Sequence, residues 1–476
     1  MTLPKNSRAQ SRDDLLALVG SLREQVARLQ RQVGQLTAVN ETLHKENAEL
    51  RRSTKRQAAP FSTGARVEHP KRPGRKLGKG PFAFRKAPLP EQLTAPVVDV
   101  PVTAVACPAC GGRLEPERVE VATITDLPPM PRPVVTAYRV QVCRCRSCGQ
   151  RVRGPHPEVA TGQQGATAHR LGGRAMAAAH ALHYGVGIPV RKVPLVLQAL
   201  TGLKVTQGAL TQDALRRARG AVGVAYAALR AAVPASPVVH TDDTGWRVGG
   251  YSAQLMAFET DVATVYQVRP RHRNEEVREV IPANYAGVLV TDRGRSYDAQ
   301  ELQGVRQQKC LAHTLRSLKE VEATKRGPAR TFSTRLTGLL REALALRCSG
   351  AQAQRECYDA EVERLKVTIT RHLRDRHLTE PDNQRLLNEL GWQHDRGNLL
   401  RFLEDSRIEP TNNRAERALR PAVIARKVSH CSKTWEGAEA FSAFTSVVRT
   451  LTRQGTSPVE GLHQLFRPAP VQCSPP

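Results

Sequence analysis

The chain has 476 residues, enough for two or three domains with a sizeable core, and it carries a formal net charge of +28 with a pI near 10.4. So much uncompensated Lys and Arg disfavours the compact state and points to a polyanionic partner. No run of about 20 apolar residues is available to span a bilayer, and the opening MTLPKNSRAQSRDD lacks the apolar stretch of a signal peptide, so a cytoplasmic, nucleoid-associated protein is expected.

The first segment, residues 11–51, reads as a leucine zipper. Leu15, Leu22, Leu29, Leu36, Leu43 and Leu50 repeat with a heptad period, and the companion seam holds Val19, Val26, Val33, Asn40 and Asn47. Valine at a with leucine at d favours a parallel two-stranded coil, with the buried asparagines fixing its register, so a homodimer is expected. Residues 52–90 change abruptly to a basic, Gly- and Pro-rich stretch with almost no acid. Such a composition cannot build a core and predicts a flexible arm. Within it Arg72 and Arg75, in Arg72-Pro73-Gly74-Arg75, are candidate minor-groove contacts.

Residues 91–157 contain two C-x-x-C knuckles, Cys107 with Cys110 and Cys145 with Cys148, each followed directly by glycine. Four thiolates make a closed tetrahedral site, so a small zinc-ribbon-like domain with structural Zn²⁺ is expected, with Cys143 as an alternative to Cys145. Residues 160–232 read as helices. The stretch LQALTGLKVTQGALTQDALRRARG has the helix, Gly turn, Thr206 cap and second helix of a helix-turn-helix, although an ordinary helical hairpin fits the same pattern.

From 236 to 465 the pattern becomes α/β. Strands are predicted at 238–242, 255–258, 263–268 and 287–291, with Trp246-Arg247-Val248 and a Gly249-Gly250 turn leading from the first to the returning second, and with Asn274 capping a helix before the last. This β-β-β-α-β order is that of an RNase H-like core. The span of about 300–405 reads as an all-helical insertion, and 466–476 as a disordered Pro-rich tail. Three acids stand out. Asp242 and Asp292 each follow a β-branched run and are expected at strand ends, while Glu416 lies in a helix introduced by Pro410-Thr411-Asn412-Asn413. Two strand-end aspartates and a helical glutamate can converge on hard divalent cations for an in-line phosphoryl displacement, which points to a nuclease or transposase. Between the second and third acids, Cys310 and His313 form only half a zinc site and are read as a packed cysteine with a surface or active-site histidine.

With these features in place, the chain resembles the transposases of the insertion sequence 66 family, bacterial DDE enzymes. The resemblance rests on Asp242-Asp243-Thr244, Asp292-Arg293-Gly294 and the long run Asn412-Asn413-Arg414-Ala415-Glu416-Arg417-Ala418-Leu419-Arg420-Pro421, with the Cys310–His313 stretch and the Arg426-Lys427 and Gly437-Ala438-Glu439 blocks beside them. The family usually has Glu after the first Asp and Gly after the second, where this chain has Asp243 and Arg293. Asp242 is preferred as the first ligand, Asp243 is the alternative, and Arg293 is expected to affect DNA contact more than metal binding. The resemblance implies a Mg²⁺-dependent (or Mn²⁺-dependent) transposase in which Asp242, Asp292 and Glu416 hold two ions, cut at the transposon end and join the freed 3′-hydroxyl to target DNA. Arg420, on the helical face of Glu416, and then Arg417 are the candidates for phosphate contacts. Double-stranded DNA, a second copy of the chain and small companion proteins of the same element are the implied partners. The alternatives are a catalytically inactive or domesticated transposase acting as a DNA-binding regulator, and a nuclease of RNA–DNA hybrids or junctions.

Overall fold

A computed structural model of the chain describes residues 12–55, 88–94, 96–125, 132–156, 158–159, 163–164, 169–348, 355–374 and 377–467. Most of the basic arm, with Arg72 and Arg75, and the tail from 468 onward lie outside the described residues. The chain divides into two compact units, Met1–Thr123 and Ile124–Pro476. Among the described residues no helix is long and apolar enough to cross a membrane.

In the first unit, helix α1 (Arg12–Lys55) covers the heptad segment without a break. Val19, Leu22, Val26, Leu29, Val33 and Leu36 are all exposed along it. The first knuckle follows: the Cys107 carbonyl accepts from Gly111 N at 2.8 Å, the Cys107 amide donates to Gly112 O at 2.9 Å, and Gly111 sits at φ +73°. That left-handed position is why glycine follows the second cysteine.

The second unit opens with a small hairpin, β1 (Val142–Arg144) and β2 (Arg151–Arg153), enclosing the second knuckle. Its hydrogen bonds repeat the first: Gly149 N to Cys145 O at 3.0 Å, Cys145 N to Gln150 O at 2.8 Å, with Gly149 at φ +72°. Four helices follow, α2 (Gly173–His180), α3 (Val193–Thr201), α4 (Gln207–Ala218) and α5 (Ala221–Ala232). Val193, Leu197 and Leu210 pack α3 against α4 over Met176 and Ala179 of α2. Gly202 ends α3 in the left-handed region (φ 72°), and the Thr206 hydroxyl accepts from Ala209 N at 3.2 Å to start α4. The predicted helix, Gly turn, Thr cap and second helix are therefore all present.

The central sheet has five strands: β3 (Val238–Val248), β4 (Tyr251–Glu259), β5 (Thr264–Arg269), β6 (Val288–Thr291) and β7 (Arg306–Lys309), in the order β5-β4-β3-β6-β7. β3, β4 and β5 are antiparallel neighbours, whereas β6 runs parallel to β3 and β7 parallel to β6. Helix α6 (Asn274–Arg278) crosses between β5 and β6. Its N-cap is Arg273 rather than Asn274, whose side chain instead accepts from Arg278 one turn on.

Helices α7 (Leu311–Thr324), α8 (Thr331–Cys348), α9 (Arg355–Leu373) and α10 (Pro381–Asp395) form the helical block, and α11 (Asn413–Ser429), α12 (Trp435–Arg453) and α13 (Pro458–Phe466) complete the unit. The block starts at Leu311, later than expected, because residues 306–309 are the fifth strand. Those residues, Arg-Gln-Gln-Lys, show no apolar alternation; Gln307 and Gln308 are buried through hydrogen bonds to Tyr297 O (2.6 Å) and Leu399 O (3.1 Å).

One sheet face packs on α11, α12 and the helical block, through Trp246, Val248, Leu255 and Ala257 on one side and Val238, Val288 and Val290 on the other. The opposite face, with Val239, Met256, Phe258 and Leu289, packs on α6 and on Tyr297, Leu302 and Val305. At the β5 edge, Ser446 Oγ accepts from Tyr266 N (2.8 Å) and Thr450 Oγ1 from Thr264 N (3.1 Å). Helix α12 thereby satisfies the edge strand's outward amides and blocks further pairing.

Candidate active site

Alternation along β3 decides which way its acids point. Val238, Asp242, Trp246 and Val248 share the face covered by helices, while Val239 and Asp243 lie on the other. The parallel register pairs Val238 with Val288 and His240 with Val290. Continued two residues, it sets Asp242 level with Asp292 on the same face. Asp292 follows the end of β6 as expected, but Asp242 does not end its strand: β3 runs on to Val248, paired with β4 throughout. Only the parallel pairing stops at His240, so Asp242 has an open flank on the β6 side.

Glu416 comes to this face from the first turn of α11. Asn412, the residue before the helix, was expected to cap it. Its side chain instead donates to Thr241 O on β3 at 2.7 Å, and its backbone amide donates to Cys310 Sγ at 3.2 Å. The third acid's helix is thus tied to β3 one residue before Asp242, and to the chain just beyond β7. His313 Nε2 lies 3.6 Å from Glu416 Oε1. The Cys310 thiol is fully buried; burial alone would raise its pKa, but hydrogen bonds from His313 and Asn412 N hold it below the ordinary thiol value. His313 is held above its ordinary value, first by Cys310 and then by the Glu416 charge. The Cys310–His313 pair is therefore part of the acidic site rather than half of a zinc site.

Electrostatics mark Asp242 as the strained member. Burial, with the charges of Asp292, Asp243 and Glu416, pushes its carboxyl up to about 7, although the Asp243 amide partly offsets this by donating to Asp242 Oδ1 at 2.9 Å. Two residues earlier, burial and the positive charge of Arg414 push His240 down to about 4. Asp292 Oδ1 accepts from Gly294 N at 2.8 Å. A Cβ at Gly294 would come 2.9 Å from that oxygen, so only glycine fits the turn without a shift.

The two departures from the usual motifs have distinct fates. Asp243 Oδ1 is 2.8 Å from His272 Nδ1 on the far face of the sheet. The Arg293 side chain is largely buried. Its guanidinium bonds Ser317 and pairs with Glu389 at 2.9 Å, fastening the Asp292 loop to α7 and α10. Arg417 and Arg420 are both exposed on α11. Sequence reasoning missed Asn412 as a tie, His272, and Arg426, which bonds Thr244 Oγ1 (3.1 Å) and Gly245 O from the far end of α11. Asn412 and Arg426 stood inside quoted motifs, but nothing in their spacing told which strand they would reach.

Among the described residues no group of three or more His, Cys, Asp or Glu side chains is drawn together tightly enough to hold a metal ion. The donor chemistry is nonetheless suited to one. All three candidate ligands are hard carboxylate oxygens, and their mutual repulsion is what a divalent cation relieves. At the knuckles, amide hydrogen bonds from Ala109 and Cys110 lower the Cys107 thiol, and those from Cys148 and Ser147 lower Cys145.

Fold and site together define a mixed-sheet α/β protein with an acidic cluster where the parallel strands meet a covering helix. The model of the Transposase IS66 family matches residues 169–440, more than half of the chain and all three acids, and the chain belongs to that family. Among solved structures, the HTLV-2 integrase catalytic core domain in complex with magnesium is similar over 18% of this chain and 69% of that chain, at 14% identity and a TM-score of 0.14. No curated protein sequence matches this chain.

Proposed function

We propose that this transposase cuts DNA at the element's ends and transfers the freed strand to a target, at a site where Asp242, Asp292 and Glu416 hold two Mg²⁺ or Mn²⁺ ions. The observation that carries the reading is the strand register, which sets Asp242 level with Asp292 on the face that α11 covers with Glu416. The five-strand order with its three acids fits an RNase H-like catalytic core. Asp243 is engaged by His272, which favours Asp242 as the first ligand. When bound, the ions would supply activation of the attacking oxygen and stabilisation of the leaving one in an in-line displacement.

The chain's own groups prepare that chemistry. The Gly294 amide orients Asp292, Asn412 fixes the start of α11, and His313 faces the Glu416 carboxylate from α7. Arg420, one turn on from Glu416 along the same helical face, is the proposed phosphate contact beside the acids, with Arg417, about 100° round, as the second choice. The exposed Leu and Val seam of α1 supports a zipper dimer that gathers two DNA ends. The matching turns at Cys107–Cys110 and Cys145–Cys148 support a structural zinc site of four thiolates, and α3–α4 supports a DNA-reading helix-turn-helix.

The test is Mg²⁺-dependent cleavage and strand transfer on a duplex carrying the element's end, comparing wild type with Asp292→Asn. Loss in the variant supports the proposal. Equal behaviour of the two proteins would overturn it and leave a DNA-binding regulator, and preferential cutting of an RNA–DNA hybrid competitor would favour the nuclease alternative.

A further inference from the structure

Helix α11 presents a second face, lined by arginines. Arg414, Arg417, Ala418 and Pro421 fall at i, i+3, i+4 and i+7, one stripe of the helix, centred about 150° round from Glu416. This stripe forms one wall of a cleft of about 440 Å³, closed by Glu259 and Tyr266 at the sheet edge and by Arg449 and Arg453 of α12. Four arginines and two carboxylates, Glu259 and Glu409, line it.

The ion pairs separate those arginines into two kinds. Arg453 is paired with the buried Glu259 carboxylate. Arg414 is paired with Asp261 at 2.7 Å and lies 3.9 Å from Glu409 and 4.0 Å from Glu259. Arg417 and Arg449 have no acidic partner within ion-pair distance among the described residues. Arg449 Nη2 donates to Gly185 O at 3.2 Å, but its Nε is buried without a partner. A buried donor left unmade costs about 1–3 kcal/mol, and the arginine fork is suited to a phosphate. The carboxylates hold Arg414 and Arg453 in place, so the free positive charge is concentrated at Arg417 and Arg449.

We propose that this cleft is a second phosphate subsite, in which Arg417 and Arg449 hold the backbone of the DNA strand that runs on from the acidic site. The subsite rests on the reading of the chain as a DNA-acting transposase, and it extends that reading away from the reacting phosphate. Continuity favours a phosphodiester strand over a small anion. Arg417 directly follows Glu416, and Glu259 in the cleft is the strand-register partner of His240, two residues before Asp242 on β3. A strand seated at the acids therefore meets the cleft on crossing the N-terminal turns of α11.

Binding measured without divalent cation tests this separately from cleavage. Full-length protein in EDTA is titrated against a duplex oligonucleotide by fluorescence anisotropy, over roughly 50–200 mM salt. Each phosphate contact contributes about −0.9 to the slope of log K against log salt. Arg417→Gln and Arg449→Gln should each make the slope shallower by about 1, and the double variant by about 2, so that the affinity lost across this salt range shrinks about threefold per arginine. Arg449→Lys, which keeps the charge, should keep the slope. Arg374→Gln removes the same charge from an arginine paired with Asp395 and should also leave it unchanged. An unchanged slope in the exposed Arg417→Gln variant, which has no packing role to lose, overturns the proposal, as does an equal effect of Arg374→Gln. If inorganic phosphate raises the melting temperature of wild type but not of the double variant, while their DNA slopes coincide, the cleft holds a free anion and the DNA assignment is wrong.

Discussion

Asn412 offers the sharpest test of how the site is built. Its side chain makes one hydrogen bond, Nδ2 to Thr241 O at 2.7 Å, and its Oδ1 is buried without a partner. Asn412→Ala removes the bond and strands the Thr241 carbonyl away from water, while also removing the orphan Oδ1. A buried acceptor left unpaired costs about 1–3 kcal/mol; taking about 2 kcal/mol, the melting temperature of a domain of this size should fall by about 4–8 °C. The larger effect should be on catalysis, because the bond sets α11, and with it Glu416, against the strand of Asp242. A displacement of about 1 Å in a catalytic group can cost about 100-fold. Asn412→Asp sharpens the test. It keeps the shape, cannot donate to the carbonyl when ionised, and adds a negative charge to a cluster in which Asp242 is already pushed to about 7. The assay pairs thermal unfolding with Mg²⁺-dependent cleavage, and the expected order of activity is wild type, then alanine, then aspartate. An alanine variant that melts a few degrees low yet cleaves at the wild-type rate would refute the idea that Asn412 positions the third acid.

Three further predictions address other parts of the chain. Asp213 is partly buried, which alone would raise its pKa, but His180 (2.9 Å) and Arg217 (2.7 Å) bring it down to about 2. Because the folded value is depressed, the contribution of about 2 kcal/mol is present above about pH 4 and is lost as the pH falls towards 2. Asp213→Asn should therefore lower the melting temperature at pH 6, and the gap from wild type should narrow near pH 2; a gap independent of pH would contradict this. Gly294→Ala forces a Cβ against Asp292 Oδ1, so its cleavage should need more Mg²⁺ with little change in unfolding; an unchanged Mg²⁺ midpoint would count against the tight turn. Cys107→Ser with Cys148→Ser should lose roughly one zinc per chain by metal analysis, and retained stoichiometry would sink the four-thiolate site.

The parts of the site that follow from local pattern were legible in the sequence. Val288-Leu289-Val290 is an apolar run, and it does form the strand that ends just before Asp292. β3 was legible as a strand in its first half, and the Gly249-Gly250 turn that ends it was legible too. Its remainder, Asp243-Thr244-Gly245-Trp246-Arg247-Val248, is held by antiparallel pairing to β4, and pairing partners cannot be read from alternation alone. β7 was invisible because Gln307, Gln308 and Lys309 are buried by polar contacts, Lys309 through Asp298 at 2.8 Å and Thr291 at 3.2 Å. A buried polar strand carries no hydrophobic period. The ties of Arg293 were illegible for a similar reason: its partner Glu389 lies on α10, far along the chain.

The choice between Asp242 and Asp243, open in the sequence, becomes a question of how α11 is fastened. Two ties hold that helix to β3. Asn412 reaches Thr241 O before its first turn, and Arg426 reaches Thr244 Oγ1 and Gly245 O near its last. The ties bracket Asp242 and Asp243 along the strand and Glu416 along the helix, so neither element can slide without breaking one of them. Leu419 and Ala422, between the ties, pack on Trp246 and Leu255 and prevent the helix from lifting away. With the helix so fixed, only the face of β3 that meets α11 can share a ligand with Glu416. Alternation places Asp242 on that face and Asp243 on the other, where His272 receives it. Exchanging the two roles would require a one-residue slip of β3, which would also turn Trp246 and Val248 out of the core.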